Sequence, residues 1–358
     1  MARKKMKNIV LYMFIGIILS IIAFYFSFRN IPFEEILIYM GTINYWWALL
    51  SVIMLFMGFL FRALRWRLIL KNTDNIDFVT AYHGTMIAFA INSIFPGRAG
   101  EISRPLLIYK QNKISISTGF ASVVIDRFFD LVMLLLFFVF IMSFVHIDNA
   151  YKLTVGTFTL NKEVLDSICS KFLVFCLVLS VGMFIINMDK TQKILVKIFE
   201  KIPKLFSPNF EQKIFNKICS PLIKVIRNLN SIFSIFKNFR IVTNCFGLSL
   251  IVWILEALSF YIMALGCPGI DITFFEMTAV LTIVCFCVAL PSVPGFWGVW
   301  EAGCIFALSL FGCTGKDAAG FTLVNHAMQI FPVMIAGIIS IIFTGTNIFQ
   351  MTKGYKKV

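Results

Sequence analysis

Phe95-Pro96-Gly97-Arg98-Ala99-Gly100-Glu101 and Val293-Pro294-Gly295-Phe296-Trp297-Gly298-Val299-Trp300-Glu301 read as two versions of one segment. Each follows an apolar run, breaks it with Pro-Gly, adds a second Gly and ends on an acid. Pro removes a backbone donor and Gly relaxes the backbone, so neither run continues as an unbroken helix. At membrane depth a broken backbone persists only where protein buries it or a wet cavity solvates it. Paired interruptions in corresponding halves of a polytopic chain point to a translocation site. Pro96, Gly97 and Gly100 are the predicted hinges of the first break; Pro291, Pro294, Gly295 and Gly298 are those of the second.

The runs around these breaks are membrane-like. The chain is 59% hydrophobic with a mean hydropathy of +0.88 and 14% charged residues, which excludes an ordinary soluble domain. Several runs approach the ~20 residues that cross a bilayer. Ile9 to Phe28 carries no charge and follows Arg3, Lys4, Lys5 and Lys7. Its length and the lack of a small-residue cleavage site predict an uncleaved signal-anchor helix. The net charge of +14 is no nucleic-acid signature, because the bases fall in loops between apolar spans and the aromatics are mostly membrane-facing Phe. No nucleic-acid partner is expected. The nine cysteines lie in apolar runs without metal-ligand spacing and read as buried small hydrophobes, with a Cys267–Cys313 bridge as the alternative. No metal or cofactor is expected.

Loop charges set the orientation. The basic start and the Lys353, Lys356, Lys357 tail predict cytoplasmic termini in the cell (plasma) membrane. Residues 1–44 form an anchor helix and an outer segment, Arg29 to Asn44. Residues 45–146 form a first repeat: a span Tyr45–Phe61 ending at Arg62, Arg65, Arg67 and Lys71, a hairpin entering from the cytoplasm, and a span Ser115–Val145. Keeping Arg98, Arg104, Lys110 and Lys113 inside is what favours the hairpin over a full crossing. Residues 147–240 hold a poorly charged outer segment (147–167), a span 168–188 and a basic cytoplasmic loop with eleven Lys or Arg. Two amphipathic patterns lie in that loop, Ile194-Ile198-Ile202-Leu205 beside a Lys face, and Ile218 through Ile232. They read either as interfacial helices on an anionic leaflet or as a connector that fixes topology. Residues 241–345 form a second repeat, with its hairpin entering from outside, and 346–358 the tail. The predicted fold is an all-α polytopic membrane protein of about six full transmembrane helices plus two re-entrant hairpins in an inverted-topology repeat.

Charges inside the spans mark the candidate site. Asp126 and Asp130 share a helical face, and Arg127 stands three before Asp130. A centred charge costs at least about 2.5–3.5 kcal/mol, so each needs a partner or a wet pocket. Either Arg127–Asp130 locks helices together, or Arg127 contacts an anionic headgroup. Glu101 and Glu301 hold corresponding places after the two breaks and are expected near one midplane pocket with Glu256. The breaks also create helix N-termini whose dipoles suit phosphate. Arg98 and Arg104 offer bidentate phosphate contacts, or serve topology alone. His326 and Gln329, one turn before Pro332, either line this cavity or belong to the core. His83 is a weaker candidate.

At Phe61-Arg62-Ala63-Leu64-Arg65-Trp66, Asn92 through Arg104, Asp126-Arg127-Phe128-Phe129-Asp130, Trp253 with Glu256, and Pro291 through Gly303, the chain resembles the transmembrane family typified by the flippase half of bacterial lysylphosphatidylglycerol synthases. Stand-alone relatives include hopanoid-transport and archaeal dolichyl-phosphate glucose-pathway proteins. The resemblance covers nearly the whole chain in family order. It implies a helical bundle with re-entrant segments that moves a charged lipid between leaflets, commonly an aminoacylated phospholipid or a polyprenyl-linked sugar. Asn325-His326 stands where many relatives carry Arg, and Phe296-Trp297 where relatives often have Gly-Leu. Two-domain members continue into a soluble aminoacyltransferase domain, whereas this chain stops at Val358, so no synthase activity is expected.

Three functions compete. A lipid flippase accounts for the repeat, the breaks and the intramembrane charges. A membrane-embedded transferase would need metal-binding or acid–base clusters or a nucleotide-binding Gly loop; Asp126 with Asp130 is too sparse for that. An accessory subunit would present lipid to a partner transferase docked on the loop 190–240. The expected partners are membrane lipids, and the reading favours a transporter over an enzyme.

Overall fold

A computed structural model of the chain describes residues 20–29, 31–71, 75–95, 98–144, 189–201, 238–289 and 294–346 as continuous runs. Residue 18, strands β1 (Lys152–Val155) and β2 (Phe158–Asn161), and isolated positions between 167 and 236 complete the described set. Residues 20–28 are helical. The helices after them are α1 (Phe33–Thr42), α2 (Tyr45–Leu70), α3 (Phe78–Ile94), α4 (Gly100–Asn112), α5 (Ile116–Phe144), α6 (Asp189–Lys201), α7 (Phe239–Leu265), α8 (Phe274–Val288), α9 (Val299–Ser309) and α10 (Gly315–Phe343). The described fold is therefore helical apart from the antiparallel hairpin β1–β2, which falls in the segment 147–167.

Two sets of four helices match in length. α2 to α5 contain 26, 17, 13 and 29 residues; α7 to α10 contain 27, 15, 11 and 29. The same local chemistry starts matching members. Asn44 and Asn238 cap α2 and α7 by accepting from Trp46 N and Ile241 N. Asp77 caps α3, and Thr273 with Glu276 forms a capping box on α8.

The sets interlock. α2 packs along α7, α3 lies against α10, and α8 lies against α5, so the first hairpin helix of each set meets the last helix of the other. Small residues allow the close crossings, as expected where packing rather than the hydrophobic effect joins helices. Gly337 of α10 faces Ala90 and the Met86 carbonyl of α3 with no room for a Cβ atom. The main apolar cluster joins Val252, Phe260 and Met263 of α7 to Val280 and Val284 of α8, Leu308 of α9 and Phe321 of α10.

Among the described residues, α2, α7 and α10 are long and apolar enough to cross a membrane. Ile53, Leu60, Leu250, Ile254, Ile335 and Ile342 project outward from them, a surface suited to lipid. α2 does not end at Phe61, as its charges led the sequence reading to expect. It runs on to Leu70, because Ala63, Trp66, Ile69 and Leu70 continue its buried face and acids on α5 and α7 neutralise Arg62 and Arg65.

Helix α1 lies within the segment Arg29–Asn44 and packs on α10, where Tyr39 covers Gly320 and its hydroxyl donates to the Pro268 carbonyl at 2.7 Å. Cys267 and Cys313 are both free and buried beside this contact, so the bridge is not formed. Burial pushes the Cys267 thiol up to about 12. On α6, Lys193, Ile194, Lys197, Ile198 and Lys201 are exposed. Pro96, Gly97, Pro291, the first half of the run 9–28, most of 168–188, most of the pattern 218–232 and the tail 347–358 lie outside the described residues.

Candidate functional site

The first break leads into α4, whose opening turn is held by side chains on both sides. Asn92 of α3 accepts a hydrogen bond from the Gly100 N–H at 2.8 Å, and Ser103 donates back to the Gly100 carbonyl at 2.6 Å. Gly100 is pressed against the Ala88 carbonyl, so a Cβ there would collide with backbone. Arg98, just before the turn, has φ 54°, a left-handed conformation that is costly for a side-chain-bearing residue.

Helices α2, α4, α5 and α7 converge next to this turn and bring eight ionisable groups together. Arg65 and Arg104 both grip Asp126, through Arg65 Nη2 at 2.8 Å and Arg104 Nη1 at 2.7 Å. Arg65 also reaches Asp130 at 2.8 Å and donates to Ser249 Oγ at 2.8 Å. Arg62 bridges Glu256 at 3.0 Å and Asp130 at 3.5 Å. Arg127 contacts Asp130 at 3.1 Å, Asp126 at 3.4 Å and Glu101 at 3.6 Å. Four arginines thus meet four carboxylates with no net charge, which offsets the cost of burying each alone. Trp66 closes one side, its ring under Arg104 at 5.1 Å and its N–H donated to Ser122.

Accessibility divides the network. The side chains of Arg65, Asp126 and Arg104 are at most 1% exposed, whereas that of Arg127 is 32% exposed and that of Glu101 is 23%. Arg127 is therefore the guanidinium through which the network reaches outward.

The second break is built differently. Pro294–Phe296 forms a 3₁₀ turn in which Gly295 and Phe296 have φ 69° and 62°, and Gly298 follows at 87°. Glu301, in the first turn of α9, reaches back to accept from Gly298 N–H at 2.6 Å. Its other oxygen meets His326 Nδ1 of α10 at 2.5 Å, and His326 Nε2 meets the Gly295 carbonyl at 2.9 Å. Both side chains are fully buried. The imidazole is stacked on Trp300 at 4.5 Å and flanked by Trp297 at 4.4 Å. Further along α10, Gln329 donates to Ser259, which donates to the Ser51 carbonyl. Thr322 and Asn325 present buried polar atoms without a hydrogen-bond partner among the described residues.

The two breaks meet. Arg98 Nη2 donates to the Val288 carbonyl at the end of α8 at 3.2 Å, and the 3₁₀ turn packs against α3. Arg98 is exposed and has no carboxylate partner among the described residues. Beside the second break an open groove of about 350 Å³ is lined by Ser20, Ile21, Phe24, Tyr25, Trp297 and Gly298, almost wholly apolar. There Gly298 lies against the Ser20 carbonyl.

The predicted site residues thus fall into three places. Arg104, Asp126, Arg127, Asp130, Glu101 and Glu256 form the ion network; Glu301 and His326 form the clasp on the second break; Arg98 stands where the breaks touch. Glu101 and Glu301 hold matching positions near the starts of α4 and α9 but have different partners. His83 is outside all three, bonded to Ser340 Oγ at 3.0 Å. Arg62 and Arg65 were missed as site residues, although their i, i+3 spacing on one helical face was a usable signal.

Comparison with known proteins identifies the family. The family profile of the lysylphosphatidylglycerol synthase TM region matches residues 13–337. A UPF0104 membrane protein of Pyrococcus horikoshii is 25% identical over 300 residues, covering 81% of this chain and 85% of that protein. A UPF0104 membrane protein of Methanothermobacter thermautotrophicus is 26% identical over 358 residues, covering 98% and 96%. One from Methanocaldococcus jannaschii is 25% identical over 269 residues, covering 74% and 99%. The chain belongs to the lysylphosphatidylglycerol synthase TM-region family and is a membrane protein.

Proposed function

We propose that the protein moves a charged phospholipid, such as an aminoacylated phosphatidylglycerol, or a polyprenyl-phosphate-linked glycolipid between the leaflets of the cell membrane. The observation that carries this reading is Arg98: an exposed guanidinium at the contact between two broken helices, whose hydrogen bond among the described residues goes to a carbonyl. Such a group is available to a phosphate, and Arg offers it two parallel donors. Arg127 of α5, partly exposed, supplies a second cation whose carboxylates orient it. Glu101 and Glu256 complete the polar wall, while the apolar groove at Trp297 and Gly298 suits a lipid chain.

In this reading the matched helix sets are an inverted-topology repeat. At 1.5 Å per residue, α3 and α8 are roughly 25 Å and 22 Å long, short of the ~30 Å hydrocarbon core, so they enter and turn back rather than cross. The domain limits 45–146 and 241–345 follow, with about six full spans around the two hairpins and both termini cytoplasmic. Irregular backbone at the elbows is tolerated because side chains satisfy it, Asn92 at the first and Glu301 with His326 at the second.

The test is transbilayer movement of headgroup-labelled phosphatidylglycerol, lysyl-phosphatidylglycerol and a polyprenyl-phosphate sugar in vesicles containing the purified protein, read by an impermeant quencher. Faster loss of inner-leaflet protection for at least one of them is expected. Unchanged distribution of all three refutes the reading.

A further inference from the structure

The clasp on the second break contains a proton that its hydrogen bonds require. His326 lies between two acceptors, the Glu301 carboxyl on Nδ1 and the Gly295 carbonyl on Nε2. A carbonyl never donates, so Nε2 carries a hydrogen. The contact at Nδ1 then needs one more proton, on the ring or on the carboxyl. An ionised Glu301 facing a neutral ring protonated at Nε2 would set a lone pair against a carboxylate, both buried. The closed clasp therefore contains one titratable proton, and in either placement the pair is neutral overall.

That proton is tied to backbone geometry. The same two side chains hold the Gly295 carbonyl and the Gly298 N–H, so they fix the stretch with the three left-handed residues of the break, Gly295, Phe296 and Gly298. Loss of the proton leaves His326 one N–H for two acceptors and leaves a net negative charge between two tryptophans. One hydrogen bond must break, and the strained turn is released.

We propose that Glu301–His326 is the proton site that couples lipid movement to a transmembrane proton gradient, with the break latched when the pair is protonated and released when it is not. This rests on the proposed lipid transport. The proton is taken up from one side onto the pair and given to water on the other side when the break opens; no other group changes charge. Among the described residues, the thiol of Cys304 on α9 interacts with Glu301 and with the Cys287 thiol of α8, and Tyr25 lines the groove at Trp297 and Gly298. The other packed elements keep theirs engaged elsewhere: Glu256 of α7 on Arg62, His83 of α3 on Ser340, and Tyr39 of α1 on Pro268. Lys316 and Asp317 stand at the far start of α10.

The test uses the full chain carrying Phe296→Cys in phosphatidylglycerol nanodiscs. Its maleimide labelling rate is divided by that of an exposed Thr314→Cys control, at a series of values between about pH 5 and about pH 8. The corrected rate is expected to rise several-fold with pH. Glu301→Gln is expected to hold it low throughout, because the amide accepts from Gly298 N–H and donates to Nδ1, reproducing the protonated acid. A corrected wild-type rate that is flat, or falls as pH rises, overturns the proposal without relying on the variant's folding. In phosphatidylglycerol vesicles, an imposed pH gradient should speed movement of headgroup-labelled phosphatidylglycerol several-fold in wild type and not in Glu301→Gln. Movement indifferent to the gradient overturns the coupling and leaves the transporter reading standing. A pH-responsive break with no movement of any lipid refutes transport itself, and the coupling with it.

Discussion

Arg65 on α2 and Asp126 on α5 are joined by two contacts of 2.8 Å, with both side chains at most 1% exposed. The pair sets the hierarchy of the ion network. Asp126 also holds Arg104, and Arg65 also holds Asp130 and Ser249, so this one contact ties four helices together. Breaking a buried ion pair by removing one partner leaves the other charge uncompensated.

Asp126→Ala strands Arg104 and leaves Arg65 with Asp130 and Ser249 alone. It should cost about 3–5 kcal/mol, seen as a lower apparent midpoint of thermal unfolding in detergent and loss of monodisperse protein. An unfolding midpoint equal to wild type would show that the network is not what holds α2, α4 and α5 in place.

Arg127→Ala should behave in the opposite way. Its side chain is the most exposed of the four network arginines, and Asp126 and Asp130 keep Arg65 after its removal. The variant is expected to keep its unfolding midpoint within a few degrees and to lose lipid movement in the vesicle assay. Arg98→Ala should show the same separation. Full transport by both variants would restrict these cations to setting topology.

Two glycine substitutions separate close packing from open space. Gly100→Ala would drive a Cβ into the Ala88 carbonyl and should destabilise by about 1–3 kcal/mol or more, the cost of overpacking against a backbone that cannot yield. At Gly58, whose nearest neighbour to a new Cβ is Leu255 at 3.9 Å, Ala fits and should gain up to about 1 kcal/mol in helix propensity. Comparing the two unfolding midpoints checks the α3–α4 turn; equal effects would contradict it.

Asp77 gives a pH dependence with a defined sign. Hydrogen bonds from Thr80 hold its carboxyl below the usual range. A lowered folded value means the cap stabilises fully above the unfolded value of about 3.9 and is lost as pH falls through the folded one. Asp77→Ala should cost about 1 kcal/mol at neutral pH, while Asp77→Asn should keep the cap and remove that acid-side dependence. Circular dichroism melts at neutral and acid pH distinguish them.

Much of this architecture was legible from the chain because breaks and charges stand out against apolar helices. The paired Pro-Gly segments fall between α3 and α4 and between α8 and α9, and α2 to α5 match α7 to α10 in length. The Arg127–Asp130 contact was readable from spacing alone. What was not legible depends on contacts distant in sequence. Arg62 and Arg65 resembled loop cations because their neutralising partners lie 61 to 194 residues away. Arg104 looked free for phosphate until its partner Asp126 was placed beneath it. Likewise, nothing local to His326 announces a carboxylate partner on the preceding helix and a carbonyl partner in the break.

The proposed lipid path requires the two helix sets to be inverted relative to each other across the membrane. Lys110 in α4 and Thr314 before α10 are exposed near matching turns, so single substitutions Lys110→Cys and Thr314→Cys can be probed in intact cells with a membrane-impermeant maleimide. With inverted sets, Thr314→Cys is expected to label from outside and Lys110→Cys only after permeabilisation. Labelling of both from the same side would contradict it.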